Sequence, residues 1–145
     1  MYEAVMSESS NSDILIMTAA VADYTPVNKE IKKIKKKSNT LEISLSRTKD
    51  ILAELGKIKN PNQTLVGFAL ETNDGIAYAQ EKLIKKNADL IILNSLEDKG
   101  AGFGHDTNKI TIIKKGNKSK EFPLKTKTEV AKDILSEIQD FMSSH

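Results

Sequence analysis

Lysines are the residues of this chain whose type and spacing most strongly suggest chemistry. Six lysines fall between Lys29 and Lys37, and a further pair, Lys82 and Lys86, stands four residues apart in a segment with helical periodicity. Residues four apart lie on one face of a helix, so these two ammonium groups could hold phosphate oxygens together. Lysine runs also occur on solvated strand edges, where they discourage aggregation, and the pattern alone leaves both interpretations open.

A second candidate site is the small-residue stretch Thr18–Ala22, which follows the apolar run Ile14–Met17 and precedes Asp23. An apolar run of this kind is typical of a strand buried on both faces in a parallel sheet. Such sheets bind ligands at the carboxyl ends of their strands, where small side chains let a flat ligand approach the backbone. A tight packing turn with a surface aspartate is the alternative interpretation.

The elements that would position these residues alternate between strands and helices. Apolar runs predict strands over residues 64–70, 90–93 and 109–113, and Gly67 inside the first indicates a close backbone approach. Phe68 could stack on a planar ring or pack in the core. Capping residues and helical periodicity predict three helices, over residues 48–55, 73–86 and 126–141. The first would have Thr48 as its N-cap and end at Gly56, and the third would begin with a capping box. The second would turn four side chains toward the core, those of Ile76, Ala79, Leu83 and Ile84.

Between the first strand and the first helix, the sequence predicts a β-hairpin. Residues Leu41–Leu45 alternate apolar and polar side chains, and Ser38-Asn39 has turn chemistry. The lysines of Lys29–Lys37 would then form a cationic flap on the first arm.

Composition narrows the class of protein. A chain of 145 residues with 39% hydrophobic content can build one domain, here predicted to span residues 1–145, and a net charge of +2 does not indicate nucleic acid. The absence of cysteine excludes disulfides, thiolate metal sites and a catalytic thiol, and the two histidines form no metal motif. No apolar run is long enough to span a membrane, and we expect a soluble, cytoplasmic protein.

Seven short segments are spread across essentially all of the chain: Ala19–Tyr24, Lys33–Lys36, Asp50–Leu52, Gly67–Thr72, Lys82–Lys86, Ala88–Asn94 and Thr126–Ala131. In their order and spacing they together resemble the nucleotide-binding portion of the bacterial phosphopantothenate-cysteine ligase family, usually the C-terminal half of a bifunctional coenzyme A biosynthesis protein.

The resemblance implies a Rossmann-like α/β fold, with a mainly parallel sheet, flanking helices and a β-hairpin flap. It also implies CTP and Mg²⁺ as requirements for activating 4'-phosphopantothenate as an acyl cytidylate, which cysteine then attacks. The strand, Gly-rich loop and Asn-containing segment that open the family have no match here. We therefore expect a fragment that lacks the first βα units, binds CTP and does not catalyse ligation alone.

The resemblance further assigns roles to individual residues. Lys33 would be the catalytic flap lysine near the reacting phosphates, and Lys82 and Lys86 would complete the triphosphate site. The remaining nucleotide-binding residues would line the pocket or contribute backbone groups; they are Ala19, Ala20, Asp23, Lys49, Asp50, Ile51, Leu52 and Phe68. No residue is implied as a metal ligand.

The family also implies partners. We expect a homodimer with a contribution from Leu41–Leu45 and fusion to an upstream flavin-dependent decarboxylase domain, with neither nucleic acid nor membrane as a partner. Two other functions stay open on sequence alone: a nucleic-acid-binding module that uses Lys29–Lys37, and a non-catalytic nucleotide-sensing domain.

Overall fold

The computed structural model describes residues 1–35, 39–71, 74–95, 104–116 and 118–144. Several residues of the predictions, namely Lys36, Lys37, Ser38, Thr72 and residues 96–103, lie outside the described residues. The chain forms two compact units, a larger one of residues 1–18 with 51–145 and a smaller one of residues 19–50. The elements in chain order are α1 (Tyr2–Ser9), β1 (Ile14–Met17), β2 (Tyr24–Pro26), β3 (Leu45–Arg47), α2 (Ile51–Ile58), β4 (Thr64–Glu71), α3 (Gly75–Lys85), β5 (Leu90–Ser95), β6 (Thr107–Asn108), β7 (Ile110–Lys114), β8 (Lys118–Glu121), β9 (Lys125–Thr126) and α4 (Lys127–Ser143).

The larger unit is built on a five-stranded sheet with the order β1-β4-β5-β7-β8. Strands β1, β4 and β5 are parallel, whereas β7 and β8 return as an antiparallel hairpin. The predicted Rossmann-like, mainly parallel α/β fold is thereby confirmed. The predicted burial of β1 on both faces is confirmed in part, because Leu15 and Met17 pack on one face of the sheet and Ile16 packs on the other, whereas Ile14 is 39% exposed.

Helices cover both faces of this sheet and create two hydrophobic clusters. On one face the side chains of α2 and α3, among them Leu55 and Leu83, meet Leu65 and Ile91. On the other face α4 packs its buried residues against Leu90, Ile92 and their neighbours. Alternate side chains of β4 and β5 thus pack into the hydrophobic clusters on opposite faces of the sheet, as expected of strands between two helical layers.

The buried stripe of α3 is narrower than the sequence predicted. In α3, Ala79 and Leu83 are buried as expected, but Ile76 and Ile84 are 48% and 75% exposed. Successive helical residues are turned about 100° from each other, so the side chain of Ile84 points away from the sheet whereas that of Leu83 points toward it. The predicted capping box of α4 is confirmed, with Thr126 and Glu129 bonding each other's backbone N–H groups.

The two glycines singled out by sequence behave differently. At Gly67 the close approach is made by side chains and not by another backbone, since a Cβ there would lie 2.7 Å from Leu52 Cδ2 and 2.9 Å from Ile91 Cδ1. Gly56 does not stop its helix, which continues to Ile58. A Cβ at Gly56 would lie only 1.8 Å from the Lys86 carbonyl oxygen, so this glycine admits a neighbouring backbone.

The smaller unit is a two-stranded antiparallel sheet joined by a long loop. β2 and β3 pair from Tyr24↔Arg47 to Pro26↔Leu45. The predicted strand over Leu41–Leu45 is wrong, because only Leu45 belongs to a strand and Leu41 and Ile43 are 65% and 59% exposed. An alternating apolar and polar pattern stabilises a strand when the apolar face is buried, and neither Leu41 nor Ile43 is buried here.

Candidate functional site

The parallel strands β1, β4 and β5 end at one edge of the sheet, and the candidate site is built on that edge. In open α/β sheets, ligands bind outside the carboxyl ends of the strands. The register of β1 with β4 ends at Met17↔Gly67, whereas β4 and β5 continue together to Glu71↔Ser95. Residues of β4 from Phe68 onward therefore lie beyond the last residue pair with β1.

Lys82 reaches this edge from α3. Its Nζ donates to the carbonyl oxygen of Phe68 at 2.9 Å, in a partly buried contact. One of three ammonium hydrogens is used in this bond, which leaves further donors beside the β4 backbone. The Phe68 ring is half-buried and packs against the cluster under α4.

Lys86 directly follows α3 as its C-cap residue. Its backbone N–H donates to the Lys82 carbonyl oxygen at 2.9 Å, so the two lysines are still one helical turn apart. The spacing that suggested a shared phosphate site is therefore preserved at the end of the helix.

Two asparagines that sequence analysis did not place in the site meet at the same edge. Asn108 Nδ2 donates to Asn94 Oδ1 at 2.7 Å. Asn94 lies near the end of β5, and Asn108 ends the short strand β6. A signal for Asn94 was present, since a polar residue directly follows the buried run Leu90–Leu93, but nothing in the sequence indicates its partner.

In the smaller unit, Thr48 joins two of the predicted nucleotide-binding segments. Its backbone N–H donates to the Asp23 carbonyl oxygen at 2.9 Å, and its hydroxyl donates to the Ala22 carbonyl oxygen at 2.6 Å. The predicted N-cap role of Thr48 is not observed, because this hydroxyl bonds across to Ala22. The small-residue loop is thereby held against the segment that contains Lys49 and Asp50.

The side chains of the small-residue loop and of the lysine segment are exposed, including Ala19, Ala20, Asp23 and Lys33. Nearby, the Tyr24 hydroxyl accepts from Arg47 Nε at 3.5 Å. This bond and attraction to Tyr24 and Asp23 raise the pKa of the exposed Arg47 guanidinium above its usual value.

Among the remaining predicted residues, Ile51 and Leu52 belong to the larger unit and to its core. Ile51 is buried, and Leu52 packs against the first cluster beside Gly67. Their side chains are therefore structural, and only their backbone is available for the ligand role that the family resemblance implies.

The opposite end of the sheet carries a cluster of charges that sequence analysis missed. Asp89 directly precedes β5 and is buried, and it accepts from Lys59 Nζ at 2.5 Å, from Lys115 Nζ at 3.3 Å and from the Leu65 N–H at 2.8 Å. The sequence did contain a signal for this cluster, namely the acidic residue Asp89 immediately before the predicted strand over residues 90–93.

The described part of the chain has neither a cluster of metal-binding side chains nor a membrane-spanning helix. No group of three or more histidine, aspartate or glutamate side chains there could hold a metal ion. No helix within the described ranges has the length and apolar character needed to cross a membrane.

The parallel strands, the helices on both faces and the polar groups at the carboxyl edge define an α/β domain of the Rossmann-like class. The chain belongs to the family described as the DNA/pantothenate metabolism flavoprotein C-terminal domain, whose model matches residues 1–142.

Individual relatives support this assignment. The chain is 49% identical over 138 residues to the Bacillus subtilis coenzyme A biosynthesis bifunctional protein CoaBC, covering 95% of the chain and 34% of that protein. It is 56% identical over 138 residues to a cysteine/cysteine sulfinic acid decarboxylase from an unknown prokaryote, covering 95% of the chain and 38% of that protein. A solved C-terminal domain of CoaBC matches with a TM-score of 0.79 and 38% identity, over 99% of this chain and 62% of that one. The chain thus spans about a third of the length of these two curated relatives.

Proposed function

We propose that this chain is the nucleotide-binding part of a phosphopantothenate-cysteine ligase that acts in coenzyme A biosynthesis. Family membership over residues 1–142 carries the proposal, because relatives of that family include bifunctional coenzyme A biosynthesis proteins. The Lys82 ammonium beside the carboxyl end of β4 supports it chemically, since a nucleoside triphosphate needs fixed cations at such an edge.

The proposed reaction has two steps. A carboxylate oxygen of 4'-phosphopantothenate attacks the α-phosphorus of CTP, which forms the acyl cytidylate and releases pyrophosphate. The cysteine amine then attacks the acyl carbon, so that an amide forms, CMP leaves and the amine proton is lost to solvent. Both steps develop negative charge on phosphate oxygens, and cationic side chains that are already in place lower that cost.

The chain's own residues divide this work. We assign Lys33 to the α-phosphate region as the catalytic lysine, and Lys82 and Lys86 to the β- and γ-phosphates. The backbone from Ala19 to Asp23 and from Lys49 to Leu52 would accommodate the nucleoside, with Phe68 against the base. Mg²⁺ would enter with CTP as part of the substrate complex.

The proposal extends to the whole protein. We expect a cytoplasmic homodimer joined to an upstream flavin-dependent decarboxylase domain, in line with the bifunctional relatives. Because the chain spans about a third of those relatives, we expect it to bind CTP but to need further parts of the protein for ligation.

Isothermal titration of the 145-residue chain with CTP and Mg²⁺ tests the proposal. We expect saturable binding that Lys33→Met weakens about tenfold, because one charge-assisted contact is lost. Lys32→Met is the matched control, since it removes the same charge from the same segment, and its effect should stay below about twofold. Absence of binding, or equal effects of both variants, would contradict the proposed role of Lys33 in a nucleotide site.

The same samples distinguish the remaining functions. Binding to single-stranded RNA that falls steeply with salt and is not displaced by CTP would favour the nucleic-acid-binding alternative. Release of pyrophosphate from CTP by the isolated chain, with 4'-phosphopantothenate and cysteine present, would contradict the expectation that it is inactive alone.

A further inference from the structure

The side chains of Asn94 and Asn108 form a pair whose chemistry the proposed reaction does not use. The orientation of both amides follows from one backbone donor. The Lys109 N–H can only donate, and it lies 3.0 Å from Asn108 Oδ1. The other end of that amide is therefore Nδ2, which donates to Asn94 Oδ1 at 2.7 Å. It follows that Asn94 directs its own Nδ2, with both hydrogens, away from the pair.

Asn94 Nδ2 is open to a ligand. Within the part of the chain that the structure describes, no group accepts a hydrogen bond from this atom, and no enclosed side-chain polar atom is without a partner. The amide nitrogen of half-buried Asn94 therefore reaches solvent. Asn108 is itself held in register with Lys125 of β9, so the pair is fixed before any ligand arrives.

The surroundings of Asn94 suit a planar heterocycle. Asn94 is in register with Leu70, and Phe68 lies two residues earlier on the same strand. Because side chains alternate along a strand, Phe68, Leu70 and Asn94 face the same side of the sheet. Phe68 is half-buried and Leu70 is 41% exposed. An apolar surface beside a neutral amide suits a base, whereas phosphates are bound by cations.

We infer that Asn94, held by Asn108, is a specificity-determining residue that reads the pyrimidine edge of the bound nucleotide and selects cytosine over uracil. This inference rests on the proposed function. Cytosine presents N3 as an acceptor, and an Asn94 Nδ2 hydrogen can donate to it. Uracil carries a hydrogen on N3, so at that atom the Asn94 donor would face another donor, and this hydrogen bond would be lost.

Replacing the donor by an acceptor tests this assignment. Asn94→Asp keeps the side-chain shape and the oxygen that accepts from Asn108, but it presents an acceptor to the ligand. Titrations with CTP and Mg²⁺ and with UTP and Mg²⁺ should show wild type binding CTP about tenfold tighter. We expect Asn94→Asp to reverse that preference, because a carboxylate accepts from uracil N3–H, and Asn94→Ala to bring the ratio near one.

The ratio of the two affinities separates specificity from general damage. Asn62→Asp places the same added charge in an exposed turn before β4, and its ratio should equal that of wild type. Thermal melts identify any variant that fails to fold, and either Asn94 variant alone suffices for the test. Wild type that binds CTP while the Asn94 variants keep its ratio would overturn this inference and leave the proposed function standing. Wild type that binds neither nucleotide would overturn both.

Discussion

The two ends of the central strands use polar side chains in opposite ways. At the amino end of β5, Asp89 is buried and accepts from Lys59, Lys115 and a backbone N–H. At the carboxyl end, Lys82 is held by one carbonyl oxygen, and Asn94 keeps an amide nitrogen toward solvent. One end satisfies its charges internally, whereas the other leaves donors available.

A second paired carboxylate strengthens the contrast. Glu137 of α4 accepts from Lys114 at 2.8 Å and from Lys120. Lys114 is in register with Leu90, at the same end of β5 as Asp89. Lys114 thus pairs with Glu137 of α4, whereas the next residue, Lys115, pairs with Asp89 just before β5. Paired charges thus stabilise the structure at the amino ends of these strands, and the donors that a ligand could use lie at their carboxyl ends.

The largest expected effect is on stability, at the amino end. Asp89→Ala removes the shared acceptor and leaves the Lys59 ammonium, whose side chain is only 9% exposed, without its carboxylate. We expect a loss of about 3–5 kcal/mol in the free energy of unfolding, because an uncompensated buried charge remains. Urea unfolding measures it.

Glu54→Ala is the matched control, since it breaks an exposed pair with Lys57 at 2.6 Å. Its cost should stay below about 1 kcal/mol. If both variants cost the same, burial would not explain the role of the amino-end cluster.

The intermediate effect is on binding, at the carboxyl end. Lys82→Met keeps the apolar stem and removes the ammonium, and we expect CTP affinity to fall about thirtyfold, or about 2 kcal/mol, with little change in stability. Isothermal titration and thermal melts measure the two quantities. Lys85→Met, on the same helix and with an exposed contact of 3.8 Å to Glu81, should leave affinity unchanged. A large stability loss with unchanged affinity would place Lys82 among the structural lysines.

The smallest effect concerns pH at the amino end. Burial acts to raise the pKa of Glu137, but hydrogen bonds from Lys114 and Lys120 outweigh it and lower the pKa below 4.5. A lowered pKa in the folded state means that this stabilisation is complete above pH 4.5 and is lost as the pH falls through the folded-state value.

Glu137→Gln should therefore cost about 1.5 kcal/mol at pH 7 and progressively less at acidic pH. Unfolding curves from pH 7 to pH 3 test the trend. A cost that does not change with pH would show that packing, and not charge, explains the contribution of Glu137.

The sequence predicted the parts of the molecule that depend on local pattern. The apolar runs of β4 and β5 and the capping box at Thr126 follow from neighbouring residues. The partners of Asp89 and Asn94 were not predictable, because the tertiary fold brings them from distant segments. Leu41–Leu45 shows the reverse error, since its alternation is local but no packing supports a strand.

The site was predictable to a similar extent. Lys82 was identified from helical spacing, and the structure places it beside Phe68. Lys33 and Asp23 were assigned by family resemblance, and their ligand roles stay predictions. The hydrogen-bond chain from Lys109 through Asn108 to Asn94 depends on side-chain orientations that no pattern in the sequence encodes.

Gly56 has a consequence for Lys86. The carbonyl of Lys86 lies where a Cβ of residue 56 would be, and Asn87 donates from Nδ2 to the Gly56 carbonyl oxygen at 2.8 Å. The backbone that follows α3 thus packs directly against α2 at Gly56, where α2 has no side chain. The position of Lys86, a proposed phosphate-binding residue, therefore depends on Gly56, which lies thirty positions earlier and has no proposed contact with the nucleotide. Any side chain at position 56 would displace Lys86.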